Sequence, residues 1–196
     1  MTAQTREIVL ASSSNYRKAL IARLGLDCRI IAPDIDETAL SGEAPIETAT
    51  RLAQAKARKV ALAKPEALVI GSDQVALLDD AVLGKPGSHA AALRQLQAMS
   101  GKTTVFHTAI SLYDAASGEM QCANVPTIVC MRELSDEAIE RYLNQDQPYD
   151  CAGSAKIEAL GIALVEKVES DDPTALIGLP LIALVTMLKR AGVDLP

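Results

Sequence analysis

Short β-branched apolar runs alternate with segments of helical period along the chain, and that alternation points to an α/β fold. Residues 8–11 (IVLA) read as a buried strand and Ser12 to Ser14 as a hydroxyl-rich turn. A helix follows to about Leu24, with Gly25 as its stop. Arg29 to Ala32 forms a second strand. A third, Ala67 to Gly71, is expected to end abruptly in Ser72-Asp73-Gln74. Val75 to Leu78 and Val82 to Leu83 flank Asp79-Asp80 as a hairpin. Ser88 caps a helix that Gly101 closes, and Ser135 opens another with acids in its first turn. Two long strands, Lys102 to Tyr113 and Met120 to Arg132, lie between these helices. Ile162 to Val168 is the expected last strand. Pro180 starts an almost wholly apolar helix, expected to be buried. The 196 residues suffice for one substantial domain, or for two small lobes sharing a sheet.

The helix expected from Ile46 to Ala63 is the most informative. At roughly 100° per residue, Leu52, Ala63, Ala49, Val60, Ala53, Ile46 and Ala57 share one arc. Glu47, Arg51, Arg58 and Lys59 lie opposite. Lys56 falls inside the apolar arc, where an ammonium group is costly unless its stem snorkels to water or an anion meets it. We read it as a buried lysine that receives phosphate.

Composition narrows the partners. The net charge of −6 argues against a general nucleic-acid coat, which calls for a broad Lys/Arg surface. A small phosphate ligand needs only a local cationic pocket or a bound metal. With one Phe, four Tyr and no Trp, the core must be aliphatic, and an exposed aromatic stands out as ligand-binding equipment. The opening MTAQTREIVLASSS lacks the apolar run of a signal peptide. The stretch Leu176 to Leu188 is too short to span a membrane and is broken by Pro180. Cys28, Cys122, Cys130 and Cys151 are widely spaced with no CxxC pair, so we expect reduced structural thiols, no zinc site and a cytoplasmic protein.

Four segments could carry chemistry. In IVLASSSNYRKAL, a serine-rich turn feeds a helix N-terminus whose N–H groups and hydroxyls suit a phosphate. Arg17 and Lys18 sit in that first turn, where basic residues oppose the dipole and so look placed for a ligand. Asp34-Ile35-Asp36-Glu37 is either a solvated turn or a metal site of the kind Mg²⁺ shares with substrate phosphates. In ALVIGSDQV, Asp73 follows a strand directly and is a candidate general base or metal ligand. Gly84-Lys85-Pro86 holds a lysine in a stiff turn suited to a diphosphate leaving group. The fourth, CAGSAKIEALG, carries Lys156 and Glu158, but its composition alone assigns it no role. There is no GxxxxGK[ST], no GxGxxG and no GxSxG. His89 and His107, the two histidines, read as surface or structural residues.

Taken together, these segments resemble the Maf family of nucleotide pyrophosphatases over essentially the whole chain. LASSSNYRK is similar to the family's S-x-S-P-x-R-R at Ser12, Ser14 and Arg17, and departs at Asn15 (usually Pro) and Lys18 (usually Arg). DIDE resembles the D-E step and RLAQAKA the helix bearing Lys56, with Ala55 where Glu is usual. GSDQV resembles the segment of the catalytic acid at Asp73. GKP and AGS-x-K-x-E match as well.

The resemblance implies a single Maf/ITPase-like domain over residues 1–196, an elongated mixed-sheet fold with two lobes flanking a central cleft. It implies hydrolysis between the α- and β-phosphates with a divalent cation (Mg²⁺, Mn²⁺ or Co²⁺). Asp73 would accept the proton of the attacking water, and Ser12, Ser14, Arg17, Lys18, Lys56 and Lys85 would hold phosphates. Glu37 would be a metal ligand. Tyr16, Gln74 and Glu158 resemble the YceF-type subgroup, which acts on 7-methyl-GTP. The dTTP/UTP subgroup tends to have Arg, Thr and Gln there. A methylated guanine is cationic and stacks on an aromatic face, and Glu158 could accept from its N1–H and N2–H₂ edge. The rival readings are a dTTP/UTP pyrophosphatase and a non-catalytic nucleotide-binding regulator of septum formation. Family analogy also suggests a homodimer; neither nucleic acid nor membrane is an expected partner.

Overall fold

The computed structural model describes residues 6–195. In chain order the elements are β1 (Ile8–Ala11), α1 (Asn15–Ala22), β2 (Cys28–Ile31), α2 (Pro45–Ala61), β3 (Leu68–Leu78) and β4 (Ala81–Leu83). They continue as α3 (His89–Met99), β5 (Thr103–Asp114), β6 (Met120–Met131), α4 (Asp136–Asp146), β7 (Val165–Ser170) and α5 (Leu181–Arg190). The strands form a seven-stranded mixed sheet in the order β2-β1-β3-β5-β6-β7, with β4 paired to β3. This is the α/β class expected from the alternating pattern. The chain divides into two compact units: residues up to 73, 108–125 and from 172 onward, and residues 74–107 with 126–171.

In the first unit, β1 pairs in parallel with β2 and with β3, Ile8 opposite both Cys28 and Leu68. Each residue of β1 is fully buried, so the strand reads as a continuous apolar run rather than an alternation. Ile8 and Leu10 enter a cluster with Leu20, Ile70, Ile110, Leu179 and Leu184. Val9 and Ala11 enter another with Ala57, Val60 and Val69. α2 begins with Pro45 at a position where a missing N–H costs nothing, and the Glu47 carboxylate accepts from the Ala44 N–H at 3.2 Å. Of the expected arc, Ala49, Leu52, Ala53, Lys56, Ala57 and Val60 are buried; Ile46 is only half-buried, Ala63 lies beyond the helix and is exposed, and Ala61 joins the buried face instead.

In the second unit, β4 folds back on β3 with Ala76 opposite Leu83, and Asp79 takes up φ 52° in the turn, as the hairpin reading requires. β7 runs antiparallel to β6. Ser88 caps α3 by accepting from Ala91 N–H, and Ser135 caps α4 by accepting from Ala138 N–H.

Three expectations need correcting. β3 does not stop at Gly71: it continues through Ser72, Asp73 and Gln74 to Leu78, so Asp73 lies inside a strand and not at its carboxyl end. Ser72 is tolerated there because its buried hydroxyl lies 2.9 Å from the carbonyl oxygens of both Ala109 and Gly178, and its one proton is shared between them. The last strand starts at Val165, because Leu160–Leu164 closes into a 3-10 helix. α5 is amphipathic: Leu181, Leu184, Met187 and Leu188 are buried while Ile182 is exposed.

Candidate active site

The Lys56 side chain, 5% exposed, directs its ammonium to two carboxylates. Nζ lies 2.6 Å from Asp73 Oδ1 and 2.9 Å from Glu37 Oε1. The burial inferred from helical periodicity is therefore correct, and the counter-anions are supplied by the chain. α2 presents Lys56 towards β3 from its packed face, while Glu37, on the segment after β2, is largely solvent-exposed. Asp73 is 15% exposed, so water and small ligands can reach it. Breaking a pair this buried by removing one partner typically costs about 3–5 kcal/mol.

Arg17 stands in the first turn of α1 and anchors to the first unit through Nε, which donates to the Gly178 carbonyl at 2.7 Å. Burial pushes the Arg17 guanidinium down from its ordinary range, while the charges of Asp73 and Glu37 act in the opposite sense. Arg17 and Lys56 thus share one electrostatic neighbourhood with both acids. The turn before α1 is built by its own hydroxyls. The Ser14 N–H donates to Ser12 Oγ at 3.1 Å, and Ser14 Oγ accepts from the Arg17 N–H at 3.4 Å. Ser12 is buried and its N–H donates to the Ile31 carbonyl, which ties the turn to β2. Lys18 donates to Asn15 Oδ1 at 3.3 Å on the helix surface, and Tyr16 is half-buried.

The remaining sequence candidates belong to the second unit. Gln74 follows Asp73 on β3. Lys85 occupies the turn after β4, and Glu158 lies beyond the 3-10 turn Ala152–Ser154. His89 bonds to the Tyr149 hydroxyl at 3.1 Å and to the Glu140 carboxylate at 2.9 Å, in keeping with the structural reading of that histidine. All four cysteines are unbridged, and burial pushes the Cys28 thiol up to about 11, which keeps it protonated and inert.

A family profile described as Maf-like protein matches residues 7–191, nearly the entire chain. The chain belongs to the Maf family. Among its relatives, the 7-methyl-GTP pyrophosphatase of Cupriavidus metallidurans is 55% identical over 193 residues, covering 98% of this chain and 97% of that protein. The 7-methyl-GTP pyrophosphatase of Ralstonia nicotianae is 58% identical over 183 residues, 93% of this chain and 94% of the relative. That of Aromatoleum aromaticum is 55% identical over 190 residues, 97% and 98% of the two chains.

Two features of this Maf chain were missed from its sequence. Gly71 admits α2 against β3, and Ser111 reinforces the contact by donating to the Ala53 carbonyl at 2.9 Å. Asp172 is buried and accepts from the Thr174 N–H and from the Ile182 N–H of α5. The Thr174 hydroxyl shares its one proton between Asp172 Oδ1 at 2.7 Å and the Leu179 carbonyl at 2.8 Å, so the segment that carries Gly178 is held by its own side chains. An acid whose carboxylate bonds the N–H two residues on is a recognisable local turn pattern. A small residue at a helix crossing has no comparable signature. Among the described residues, no helix is long and apolar enough to cross a membrane.

Proposed function

We propose that this Maf chain is a nucleoside triphosphate pyrophosphatase that hydrolyses 7-methyl-GTP to 7-methyl-GMP and diphosphate. The observation that carries the reading is the Lys56–Asp73 pair with Glu37 on the same ammonium and Arg17 within electrostatic reach of both acids, in a chain whose near-full-length relatives bear that activity in their names. A carboxylate near a polyphosphate meets repulsion: two like charges about 5 Å apart at an effective dielectric near 20 repel by roughly 3 kcal/mol. Lys56 and Arg17 offset that repulsion and leave Asp73 able to take a proton from water.

In this mechanism a water attacks the α-phosphorus and passes its proton to Asp73 Oδ. The bond from the α-phosphorus to the bridging oxygen breaks, and diphosphate departs with the electron pair. Lys56 and Arg17 stabilise the charge that builds on the phosphoryl oxygens, with Ser12, Ser14 and Lys18 around the α1 N-terminus and Lys85 as further phosphate ligands. Tyr16, Gln74 and Glu158 select the base. Tyr16 offers a π face to the cationic purine, and Glu158 accepts from its N–H edge.

A divalent cation fits the acids around Lys56. Glu37 and Asp73 converge on one ammonium, and two carboxylates with phosphate oxygens and water make a hard-oxygen set of the kind Mg²⁺ accepts. A cation arriving with the nucleotide would bring phosphate oxygens as its further ligands. Such an ion would neutralise phosphate charge. The reading extends to a cytoplasmic setting and to a homodimer.

The test is a panel of 7-methyl-GTP, GTP, dTTP and UTP with Mg²⁺, Mn²⁺ and Co²⁺, resolving diphosphate from orthophosphate. We expect 7-methyl-GTP to lead and diphosphate to be the product. Preference for dTTP or UTP overturns the base assignment, and nucleotide binding without turnover by any metal overturns the enzyme. Asp73→Asn is expected to lower turnover roughly 1000-fold while nucleotide binding persists.

A further inference from the structure

Within the second unit, one side chain joins two segments that the proposed function uses separately. Gln95, half-buried on α3, donates from Nε2 to the Gly84 carbonyl at 3.0 Å. Its Oε1 accepts from the Ser154 hydroxyl at 2.6 Å. The orientation of the amide is dictated by its partners. A carbonyl can only accept, so the NH₂ must face Gly84; the oxygen then faces a hydroxyl, which can donate.

Each partner belongs to a segment that contains a left-handed residue, Gly87 (φ 67°) in the turn that Gly84 opens and Ser154 itself in the other. Gly84 opens the turn that carries Lys85, and that turn is closed at its far end by the Gly87 N–H donating to the Tyr149 carbonyl at 3.0 Å. Ser154 is fully buried and adopts φ 57°, a left-handed conformation that is uncommon for a residue with a side chain. Gly153 before it has φ 69°, and a Cβ there would lie 3.2 Å from the Phe106 ring. Two residues later the Lys156 N–H donates to the Tyr142 hydroxyl at 2.9 Å, and Glu158 follows. The left-handed step aims the segment from Lys156 to Glu158, and the Ser154–Gln95 bond stabilises that step.

We propose that Gln95 is a positioning residue that couples the Lys85 turn to the Ser154–Glu158 segment, linking diphosphate capture to base selection. The proposal rests on the functional reading above, in which Lys85 holds phosphate and Glu158 reads the base. Neither oxygen nor nitrogen of the Gln95 amide needs to touch the nucleotide. It acts by fixing two backbones to one planar group, and small misplacements of binding groups cost up to about 100-fold in rate.

Two measurements on the intact chain test it, using Gln95→Leu, Gln95→Glu, Ser154→Ala and the Gln95→Leu/Ser154→Ala double variant. The first is kcat/KM for 7-methyl-GTP and for GTP. We expect roughly a ten-fold loss for 7-methyl-GTP in Gln95→Leu, with discrimination against GTP narrowed about five-fold. Gln95→Glu should behave alike, because it sets a carboxylate oxygen against the Gly84 carbonyl. The double variant should lose no more than the worse single variant. The second is amide hydrogen exchange. Ser154→Ala should speed exchange at Gly87 by about ten-fold through Gln95, although residue 154 does not bond to that turn itself. Equal losses on both nucleotides, additive losses in the double variant, or exchange at Gly87 unmoved by Ser154→Ala would overturn the coupling. If the wild-type chain fails to hydrolyse 7-methyl-GTP, the functional reading falls, and the exchange experiment still decides the coupling.

Discussion

A Cβ placed on Gly71 would lie 2.0 Å from the carbonyl oxygen of Ala53, so α2 meets β3 at a point where no side chain fits. That contact brings the Lys56 ammonium to Asp73, three residues along α2 from Ala53 and two along β3 from Gly71. The spacing of the ion pair is thus a product of backbone approach.

Gly71→Ala should therefore injure stability and activity together. The methyl group meets backbone atoms and cannot be relieved by a rotamer change, so we expect a loss of about 3 kcal/mol in urea unfolding. Turnover should fall further than stability accounts for, because α2 must retreat and take Lys56 with it. A Gly71→Ala chain of wild-type stability would mean that α2 can shift at little cost.

Lys56→Met should cost both stability and function. Methionine fills a similar volume, but it leaves the Asp73 carboxylate without its ammonium partner, and breaking a buried pair in this way typically costs about 3–5 kcal/mol. We expect a stability loss of about that size and turnover reduced by about 100-fold or more. Lys56→Ala removes the packing as well and should be the less stable of the two. Melting curves read alongside kcat give the comparison, and full activity in Lys56→Met would remove the ammonium from the mechanism.

Acid sensitivity should trace to two arginine–carboxylate clamps in the first unit. Arg6 grips Asp114 with two nitrogens at 2.6 Å each, which holds the Asp114 carboxyl well below the usual range. Arg51 grips Glu43 and lowers it to about 2. A carboxyl whose pKa is depressed on folding contributes stability above its unfolded value, near 4, and loses it as pH falls towards the folded value. Asp114→Asn should cost about 1–2 kcal/mol at neutral pH and flatten the decline in Tm below about pH 4. An unchanged slope would assign the acid sensitivity elsewhere.

Metal dependence should depend on Glu37. Glu37→Gln keeps the shape of the side chain but gives up a hard anionic ligand. We expect the Mg²⁺ concentration for half-maximal turnover to rise about ten-fold, with a smaller change in nucleotide KM at saturating metal. Equal metal requirements in wild type and variant would leave Glu37 as a partner of Lys56 alone.

The parts of this molecule legible from its sequence are those governed by local period and local capping. α2 and its buried Lys56 follow from a 3.6-residue repeat, and the Ser14, Ser88 and Ser135 caps follow from side chains that bond within one turn. What escaped depended on distant partners. Ser72 looked like the end of a strand because its two carbonyl acceptors lie 37 and 106 residues away in sequence. Ile162 to Leu164 looked like strand because a short apolar run does not distinguish extended backbone from a tight helix. The Gln95 amide, which serves two segments, had no local pattern at all.

Besides its pairing with β5, β3 has its register set by β1, with Ala11 opposite Gly71, and by β4, with Ala76 opposite Leu83. The acid at 73 and the amide at 74 fall in the few positions between those two pairings, and successive residues of a strand face opposite ways. An inserted or deleted codon in that interval would turn Gln74 or Ser72 into the place of Asp73, or else break one of the pairings. Across these few residues the strand can therefore accept a changed side chain, but not a changed length, without moving the acid or giving up a pairing.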